Sequence, residues 1–334
     1  MTKKILLVGG EGYVGNVVSE YLLKSNYEVV SFDRLLYNNN LCALNHIHHP
    51  NYSFIYGDMC DSGAIESAVS GVDGVVLLAG LVGDPITKKY PDQSAQINDS
   101  GVINVINTCS KNGIEKFIFV STCSNYGLIK NDELASEDFP LNPLSLYAKS
   151  KVSAEKHINS LKGQTLMHPT ILRFATAFGL SPRMRFDLTV NEFTHDLALG
   201  KELLVFDADT WRPYCHVKDF ARLIELVLKS KPQDVSFQTF NAGGEANNAT
   251  KQMIVDKILN AIPDGKVSYQ AHGSDPRNYK VDFSKVRNML GFTPKYSIVD
   301  GINEIKALIE SHVFDLAEEN VEYHGNYEIT YGCE

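Results

Sequence analysis

The chain has 334 residues, 44% of them hydrophobic, which is enough for one large α/β domain with a smaller lobe or for two domains. Its net charge of −9 argues against a general nucleic-acid-binding protein, and no apolar run is long enough to cross a membrane. The N-terminus runs directly into a strand, and the six cysteines form no CxxC pair. We therefore expect a cytoplasmic protein with reduced thiols and without a structural zinc site.

The first predicted strand, Ile5 to Val8, ends in a glycine-rich turn of the form Gly9-x-x-Gly12-x-x-Gly15. Glycines allow the tight turn and let a diphosphate approach the main chain. The N–H groups and the dipole at the start of the following helix, predicted over Tyr13 to Lys24, attract negative phosphates. The turn therefore predicts a dinucleotide site whose contacts include Gly9, Gly12, Tyr13, Val14 and Gly15.

The second predicted strand, Glu28 to Phe32, is followed by Asp33. An acid about 20 residues after the glycine turn is typical of a carboxylate that binds the adenosine ribose. Such a carboxylate accepts hydrogen bonds from both ribose hydroxyls and repels a 2′-phosphate, so we expect NAD rather than NADP. The neighbouring Arg34 would weaken that preference.

Strand and helix signals then alternate as far as residue 120. They predict strands at 52–56, 74–80 and 117–120, and helices at 64–69 and 93–112. This alternation indicates a doubly wound parallel sheet, in which ligands gather at the carboxyl ends of the strands. Five polar or small residues occupy such ends: Gly9, Asp33, Asp58, Ala79 and Ser121. The histidines at 46, 48 and 49 lie in an Asn-rich stretch, which we interpret as a solvated loop and not a metal site.

Tyr147 and Lys151 are four residues apart at the start of a predicted helix, so both lie on one helical face. A tyrosine with a pKa of about 10 is a poor base at neutral pH. A nearby ammonium group and a cationic nicotinamide would lower that pKa, and the Thr122 hydroxyl would bind the same substrate oxygen. We therefore predict that Thr122, Tyr147 and Lys151 are catalytic. The alternative is a surface helix that carries this pair by chance.

Over about residues 3–310, the chain resembles an extended short-chain dehydrogenase/reductase of the NAD-dependent epimerase/dehydratase family, the group that acts on nucleotide sugars. The resemblance implies a Rossmann-type sheet with a smaller C-terminal α/β substrate lobe. It implies an NAD-binding domain over 1–175, to which part of 210–245 returns, a substrate lobe mainly over 176–312, and an acidic, aromatic tail over 313–334. It also implies a homodimer formed through the helices near 93–112 and 146–161.

The resemblance also assigns site residues. In the family, the positions of Asp58 and Met59 hold the adenine, and Lys151 holds the nicotinamide ribose while Tyr147 removes a sugar hydroxyl proton. The other implied cofactor contacts are Arg34, Leu78, Ala79, Gly80, Asn98 and Ser121. The implied substrate contacts are Val82, Cys123, Ser124, Thr176, Arg185, Arg212 and Arg277, of which Arg212 and Arg277 would grip a diphosphate. Surface arginines paired with acids are the alternative, and for Arg185 the two interpretations are equal.

Two departures from the family pattern bear on the reaction. Family 4,6-dehydratases place Asp-Glu directly after the catalytic Thr or Ser, whereas this chain has Cys123 and Ser124, so we expect no dehydration by the usual route. Thr176 stands where the family often has an Asn that touches substrate.

The predicted function is NAD-dependent oxidation of the C4 hydroxyl of a nucleotide-diphosphate sugar, by a 4-epimerase or a 4-dehydrogenase. A 4,6-dehydratase using Asp84, a 4-ketoreductase, and a non-catalytic NAD-bound regulatory protein are the alternatives. The tail after His312 is acidic and aromatic, and its sequence is equally compatible with a flexible end and with packing on a partner.

Overall fold

The computed structural model describes residues 2–37, 39–129, 133–273, 277–313 and 324–331. The strands of the described residues are β1 (Lys4–Val8), β2 (Glu28–Asp33), β3 (Tyr52–Tyr56), β4 (Gly74–Leu77), β5 (Lys116–Thr122), β6 (Leu134–Ala135), β7 (His168–Phe174), β8 (Thr176–Phe178), β9 (Glu202–Phe206), β10 (Trp211–His216), β11 (Gln238–Ala242), β12 (Asn248–Thr250), β13 (Lys266–Gln270) and β14 (Lys280–Val281). The helices are α1 (Tyr13–Lys24), α2 (Ser62–Ala68), α3 (Asp84–Lys89), α4 (Pro91–Ser94), α5 (Val102–Lys111), α6 (Leu146–Ser160), α7 (Thr189–Ala198), α8 (Val217–Lys229), α9 (Pro232–Val235), α10 (Lys251–Ala261), α11 (Ser284–Leu290) and α12 (Ile298–Glu310).

Seven parallel strands form the main sheet, in the order β11-β7-β5-β4-β1-β2-β3. The chain adds strands on one side of β1 and then, from β4 onward, on its other side. The point where the order reverses therefore lies between β1 and β4, and ligands bind at such a point in open α/β sheets. The predicted doubly wound parallel sheet is confirmed, and the glycine turn stands at this reversal.

Both faces of the sheet are buried, which explains the continuous apolar runs of its strands. Alternate residues of β1 enter different clusters: Ile5 and Leu7 pack with α1 and α8, whereas Leu6 and Val8 pack with the helices of the opposite face. The period of two along a strand thus divides one apolar run between two helical layers.

The remaining elements build a smaller α/β region. Its strands form a three-stranded sheet in the order β12-β10-β8 and a parallel pair of β9 with β13. Helices α7, α10 and α12 pack together beside them around Phe178, Val190, Ile254 and Ile302. Strand β11 returns to the main sheet, whereas the domain limits themselves stay a prediction.

Among the described residues, no helix is both long and apolar enough to span a bilayer. No group of three or more His, Cys, Asp or Glu side chains there is arranged to hold a metal ion.

A buried ion pair joins the main sheet to α6. The Glu155 side chain is 4% exposed and accepts hydrogen bonds from the Ser121 hydroxyl (2.5 Å), the Asn125 amide (2.9 Å) and Nη2 of Arg173 (2.7 Å). Nη1 of Arg173 donates to the Tyr126 hydroxyl, which in turn donates to Asn241. Strands β5, β7 and β11 and helix α6 are therefore fixed to one another just below the carboxyl end of β5.

We predict that Glu155→Ala lowers the free energy of unfolding by about 3–5 kcal/mol, because it leaves the Arg173 charge buried without its partner. Urea unfolding followed by circular dichroism measures the change. The control is Glu20→Ala, which removes an exposed ion pair with Lys24 and is expected to cost no more than about 0.5 kcal/mol. A similar small loss in both variants would show that the buried pair does not hold these elements together.

Candidate functional site

A large pocket opens at the reversal point, along the carboxyl ends of β1, β2, β4, β5 and β7. Most of the residues predicted for the site line it together: Gly9, Gly12, Tyr13, Val14, Gly15, Asp33, Arg34, Asp58, Met59, Leu78, Ala79, Gly80, Val82, Ser121, Thr122, Ser124, Tyr147, Lys151, Thr176, Arg185 and Arg277. Of the predicted site residues, all of which are described, Asn98, Cys123 and Arg212 are absent from that lining. The pocket thus brings together predicted site residues that lie between positions 9 and 277 of the chain.

The glycine turn has the geometry that a dinucleotide requires. Gly9 has a φ of +91°, and a Cβ there would lie 2.6 Å from the main-chain nitrogen of Ala79. A Cβ on Gly15 would lie 2.5 Å from the Gly10 carbonyl oxygen, so this glycine allows α1 to pack tightly against the turn. Gly12 occupies the N-cap position of helix α1, and no side chain caps the helix there. The start of α1 therefore faces the pocket unobstructed, which suits a diphosphate.

Asp33 stands at the end of β2 and is joined to the glycine turn. Its carboxylate accepts the main-chain N–H of Glu11 (2.9 Å) and of Leu35 (2.8 Å). Burial raises the pKa of Asp33 to about 6, against the lowering effect of these hydrogen bonds. Each oxygen retains a further lone pair, so the group can still accept hydrogen bonds from a ribose. Arg34 approaches Asp58, with 3.7 Å between its Nη1 and Oδ2 of that carboxylate.

Thr122, Tyr147 and Lys151 converge where β5 ends and α6 begins. The Ser145 hydroxyl caps α6 by accepting the N–H of Ala148 (3.2 Å), which orients the first turn that carries Tyr147. The Lys151 ammonium donates to the Val120 carbonyl (2.8 Å) and lies 5.9 Å from the centre of the Tyr147 ring. These three predicted catalytic side chains therefore share one corner of the pocket.

The pKa values of Tyr147 and Lys151 are set mainly by their burial. Burial raises the pKa of Tyr147 above its ordinary value, although Arg185, the hydrogen-bonding Thr122 hydroxyl and Arg277 all lower it. Burial also lowers the pKa of Lys151, to about 8. Our expectation that the tyrosine pKa is lowered therefore does not hold for the protein side chains alone, because the cost of burying a phenolate exceeds the gain from the nearby cations.

Asn98 supports the pocket from behind. Its Oδ1 accepts the Leu81 N–H (2.8 Å) and its Nδ2 donates to the Leu81 carbonyl (3.0 Å), which fixes the loop after β4. Residues 95–101 form a π-helical segment between α4 and α5, where we had expected one regular helix. This wider turn buries the adjacent Ile97 and Asn98 together. The Asn98 side chain thus positions the backbone next to Gly80, and its predicted cofactor contact stays a prediction.

Cys123 and Arg212 are also turned away from the pocket. The Cys123 thiol is 1% exposed and donates to the Arg173 carbonyl, so its orientation does not support the predicted substrate contact. Arg212 donates to the Trp211 carbonyl (2.8 Å) and lies over the ring of Tyr279, 5.2 Å from its centre. Because Tyr279 itself lines the pocket, Arg212 forms a second layer behind the wall.

Arg183 is a pocket residue that the sequence analysis did not select. Its side chain is buried, lies 4.6 Å from the centre of the Tyr37 ring and has its pKa lowered by burial to about 10. The basic Arg183-Met184-Arg185 segment held the necessary signal, because it places two arginines two positions apart in an acidic chain. Only Arg185 was chosen from it; Arg185 is held by Asp187 through two hydrogen bonds of 2.9 and 2.5 Å.

A polar cluster occupies the side of the pocket opposite the glycine turn. Arg277 approaches the Asp84 carboxylate, with 3.4 Å between Nη2 and Oδ2, and donates to the Ser124 hydroxyl (3.2 Å). The Tyr279 hydroxyl also points at Ser124 (3.5 Å). The second carboxylate oxygen of Asp84, Oδ1, is buried and makes no hydrogen bond within the described structure. This cluster can therefore supply both a cation and an unused acceptor to a ligand.

The described part of the C-terminal tail belongs to the same pocket. Asn326 and Tyr331 line it, and Thr330 donates its N–H to the Leu36 carbonyl (3.1 Å). The sequence of the tail after His312 is compatible with a flexible end and with packing on a partner. Residues 324–331 instead pack on their own chain, whereas Asp315, Glu318, Glu319 and Glu322 lie outside the described residues.

Comparisons with known proteins agree with this arrangement. The model of the NAD dependent epimerase/dehydratase family matches residues 5–243. A dTDP-glucose 4,6-dehydratase of Streptomyces griseus is 28% identical over 93% of this chain and 95% of its own. A UDP-glucose 4-epimerase of Bacillus subtilis is 27% identical over 87% of this chain and 92% of its own.

A solved structure of dTDP-glucose 4,6-dehydratase from Bacillus anthracis in complex with NAD has a TM-score of 0.81 to this chain. It is 25% identical and covers 93% of this chain and 97% of its own. The family match over more than half of the sequence, and the pocket built for a dinucleotide, lead to one conclusion. The chain belongs to the NAD-dependent epimerase/dehydratase family and is an NAD-dependent enzyme of the extended short-chain dehydrogenase/reductase type.

Proposed function

We propose that this enzyme oxidises the C4 hydroxyl of a nucleotide-diphosphate sugar, as a 4-epimerase or a 4-dehydrogenase. The observation that carries the proposal is the convergence of Thr122, Tyr147 and Lys151 in a pocket that also contains Arg185 and Arg277. A hydroxyl, a base and a cation meet at one end, and further arginines offer bidentate contacts to an anionic diphosphate.

The chemistry follows from the positions of these groups. The Tyr147 oxygen takes the proton of the C4 hydroxyl, and the Thr122 hydroxyl hydrogen-bonds the same sugar oxygen. NAD, when bound, would supply the hydride acceptor and a positive charge. Arg185 and Arg277 already oppose the burial that keeps the Tyr147 proton in place, and a further positive charge would act in the same direction. Return of the hydride to the other face of the sugar gives epimerisation, and release of the keto sugar gives dehydrogenation.

Both Arg277 and Arg185 line the pocket. Nη2 of Arg277 lies 3.4 Å from Oδ2 of Asp84, and Arg277 also donates to the Ser124 hydroxyl. Arg185 donates from Nε and Nη2 to Asp187. We propose that Arg277 and Arg185 both contact the diphosphate, with Arg212 holding Tyr279 from behind.

Dehydration is the second candidate, and Asp84 is the observation in its favour. Removal of water needs an acid for the leaving hydroxyl and a base for the C5 proton. Cys123 is buried and turned away, and Ser124 is a weak acid, so neither supplies this pair. Asp84 has a buried carboxylate oxygen without a partner in the described structure and lines the same pocket, so it is the acid or base that such a reaction would use.

The reaction is identified by incubating the purified enzyme with UDP-, GDP-, CDP- and dTDP-sugars, with mass spectrometry and NADH absorbance as readouts. A new stereoisomer of unchanged mass identifies an epimerase, and loss of two hydrogens with NADH formation identifies a dehydrogenase. Loss of water would identify a dehydratase and contradict the argument from Cys123 and Ser124. If no sugar in the panel changes and no NADH forms, the proposal fails.

We predict that Tyr147→Phe lowers kcat by at least about 100-fold, because the proton acceptor is lost. NAD content of the purified protein should stay unchanged, since the phenyl ring keeps the packing of the wall. Single-turnover NADH absorbance measures the hydride step, and NAD is quantified after denaturation.

The matched control for that substitution is Tyr269→Phe, which alters an exposed tyrosine of β13 outside the pocket and should retain full activity. If Tyr147→Phe oxidised the sugar at the wild-type rate, Tyr147 would not be the base.

We predict that Asp84→Asn lowers KM for the nucleotide sugar severalfold and changes kcat by less than about threefold. The substitution removes a negative charge beside the diphosphate-binding Arg277, and like charges repel. Steady-state kinetics separates the two parameters, and Asp92→Asn on the exposed surface of α4 is the control. A fall in kcat of about 100-fold or more would instead place Asp84 in the chemistry, as dehydration requires.

The family resemblance further leads us to propose a cytoplasmic homodimer formed through α5 and α6. These helices pack side by side in the structure, with a 2.7 Å hydrogen bond between Asn107 and His157. Light scattering on the eluting protein measures the mass in solution, and a monomer at micromolar concentration contradicts this part of the proposal.

A further inference from the structure

We propose that residues 324–331, which we call the C-terminal strap, form the outer wall of the NAD site and hold the cofactor in place between turnovers. Asn326 and Tyr331 of the strap line the same pocket as the glycine turn, Asp33 and Tyr147. The strap thus reaches the cofactor site from the far end of the sequence.

One end of the strap is fixed beside the substrate end of the pocket. The main-chain N–H of Phe186 donates to the His324 carbonyl (2.7 Å), and Arg183 Nη2 donates to the Gly325 carbonyl (2.9 Å). The Asn326 amide donates to the Val82 carbonyl (2.9 Å) in the loop that follows β4. His324 and Gly325 are therefore held mainly through main-chain carbonyls, and Arg183 joins the strap directly to the pocket wall.

The other end of the strap lies at the adenosine end of the pocket. Thr330 donates its N–H to the Leu36 carbonyl (3.1 Å), just after β2. The ring of Tyr331 packs over the Arg34 guanidinium, 5.4 Å from the ring centre, and burial together with the adjacent Cys60 raises the pKa of its hydroxyl. Ile329 and Tyr331 also pack against the apolar cluster that contains Met59. Tyr331 therefore borders the place where Asp58 and Met59 would hold the adenine.

The middle of the strap is held from outside by helix α3. The Glu328 carboxylate accepts hydrogen bonds from the Lys89 ammonium and from the Tyr90 hydroxyl. This contact is exposed, so it contributes little to stability by itself. Its consequence is geometric, because it keeps the chain between Asn326 and Tyr331 close to the pocket.

The strap thus bridges the loop after β2 and the loop after β4, which flank β1 and its glycine turn in the sheet. NAD bound at that turn would lie beneath this bridge, so its departure would require the strap contacts to open first. We infer slow NAD release. A cofactor that stays must return its hydride before the next turnover, which favours epimerisation over dehydrogenation; this last step rests on the proposed function, whereas slow release does not.

The test measures NAD release without any sugar. Full-length protein, a variant lacking residues 324–334 and the point variant Tyr331→Ala are loaded with NAD and transferred to buffer containing an enzyme that consumes free NAD. Bound NAD is then quantified over time by filtration and mass spectrometry. Tyr269→Ala, an exposed tyrosine of β13 that does not line the pocket, is the matched control.

We expect release to be at least about tenfold faster in Tyr331→Ala and faster still in the deletion, since each lost contact of about 1.4 kcal/mol corresponds to a factor of ten. The control should release NAD at the wild-type rate. Thermal unfolding at saturating NAD shows whether each variant is folded, and Tyr331→Ala keeps the test valid if the deletion is not. Equal release rates for wild type and Tyr331→Ala would overturn the proposal, whatever sugar reaction the enzyme performs.

Discussion

The buried ion pair of Glu155 with Arg173 is the constraint on which the active-site geometry depends. Glu155 lies one turn beyond Lys151 on α6, and its carboxylate also receives the hydroxyl of Ser121, the residue before Thr122. The pair therefore sets the distance between the end of β5 and the start of α6. An ion pair taken out of water is stable only when its remaining donors and acceptors are satisfied, and here Ser121, Asn125 and Tyr126 satisfy them. The same Glu155 carboxylate also acts on Lys151, where its charge opposes the lowering of the Lys151 pKa by burial.

The electrostatics of the corner follow from its burial. Tyr147 is 9% exposed and Lys151 is 3% exposed, and both are neutralised more readily there than in water. A site of this kind is a poor base until further positive charge enters it. Under the proposed function, cofactor and substrate binding would control the reactivity of Tyr147, because the charges of the pocket act strongly only where water is excluded. The acidic net charge of the chain as a whole does not oppose this, since the arginines face the pocket.

Local sequence was sufficient for the features that depend on local chemistry. The glycine turn, Asp33 at the end of β2, and the Tyr147–Lys151 spacing each follow from one strand or one helix, and all reached the same pocket. Side-chain direction was harder to predict: Cys123 and Ser124 are neighbours, yet a 3₁₀ turn sends one into the core and the other into the pocket. Asn98 hydrogen-bonds to Leu81 from behind the pocket lining, so its predicted cofactor contact stays a prediction. Periodicity could not have predicted the strap, since Arg183 and Val82 contact it from 142 and 244 positions away along the chain.

Within this family geometry, the catalytic side chains do not distinguish a 4-epimerase from a 4-dehydrogenase, because both begin with the same proton and hydride transfers. The two outcomes differ in what leaves the pocket. An epimerase must let the sugar ring rotate while it holds the nucleotide and the cofactor. A dehydrogenase must instead exchange NADH for NAD in every turnover. Under the two proposals, Arg277 would hold the diphosphate and the strap would retain the cofactor. Val82 contacts Asn326 of the strap, and Asp84, two residues later at the start of α3, approaches Arg277. The two proposed functions would therefore be coupled through one short segment.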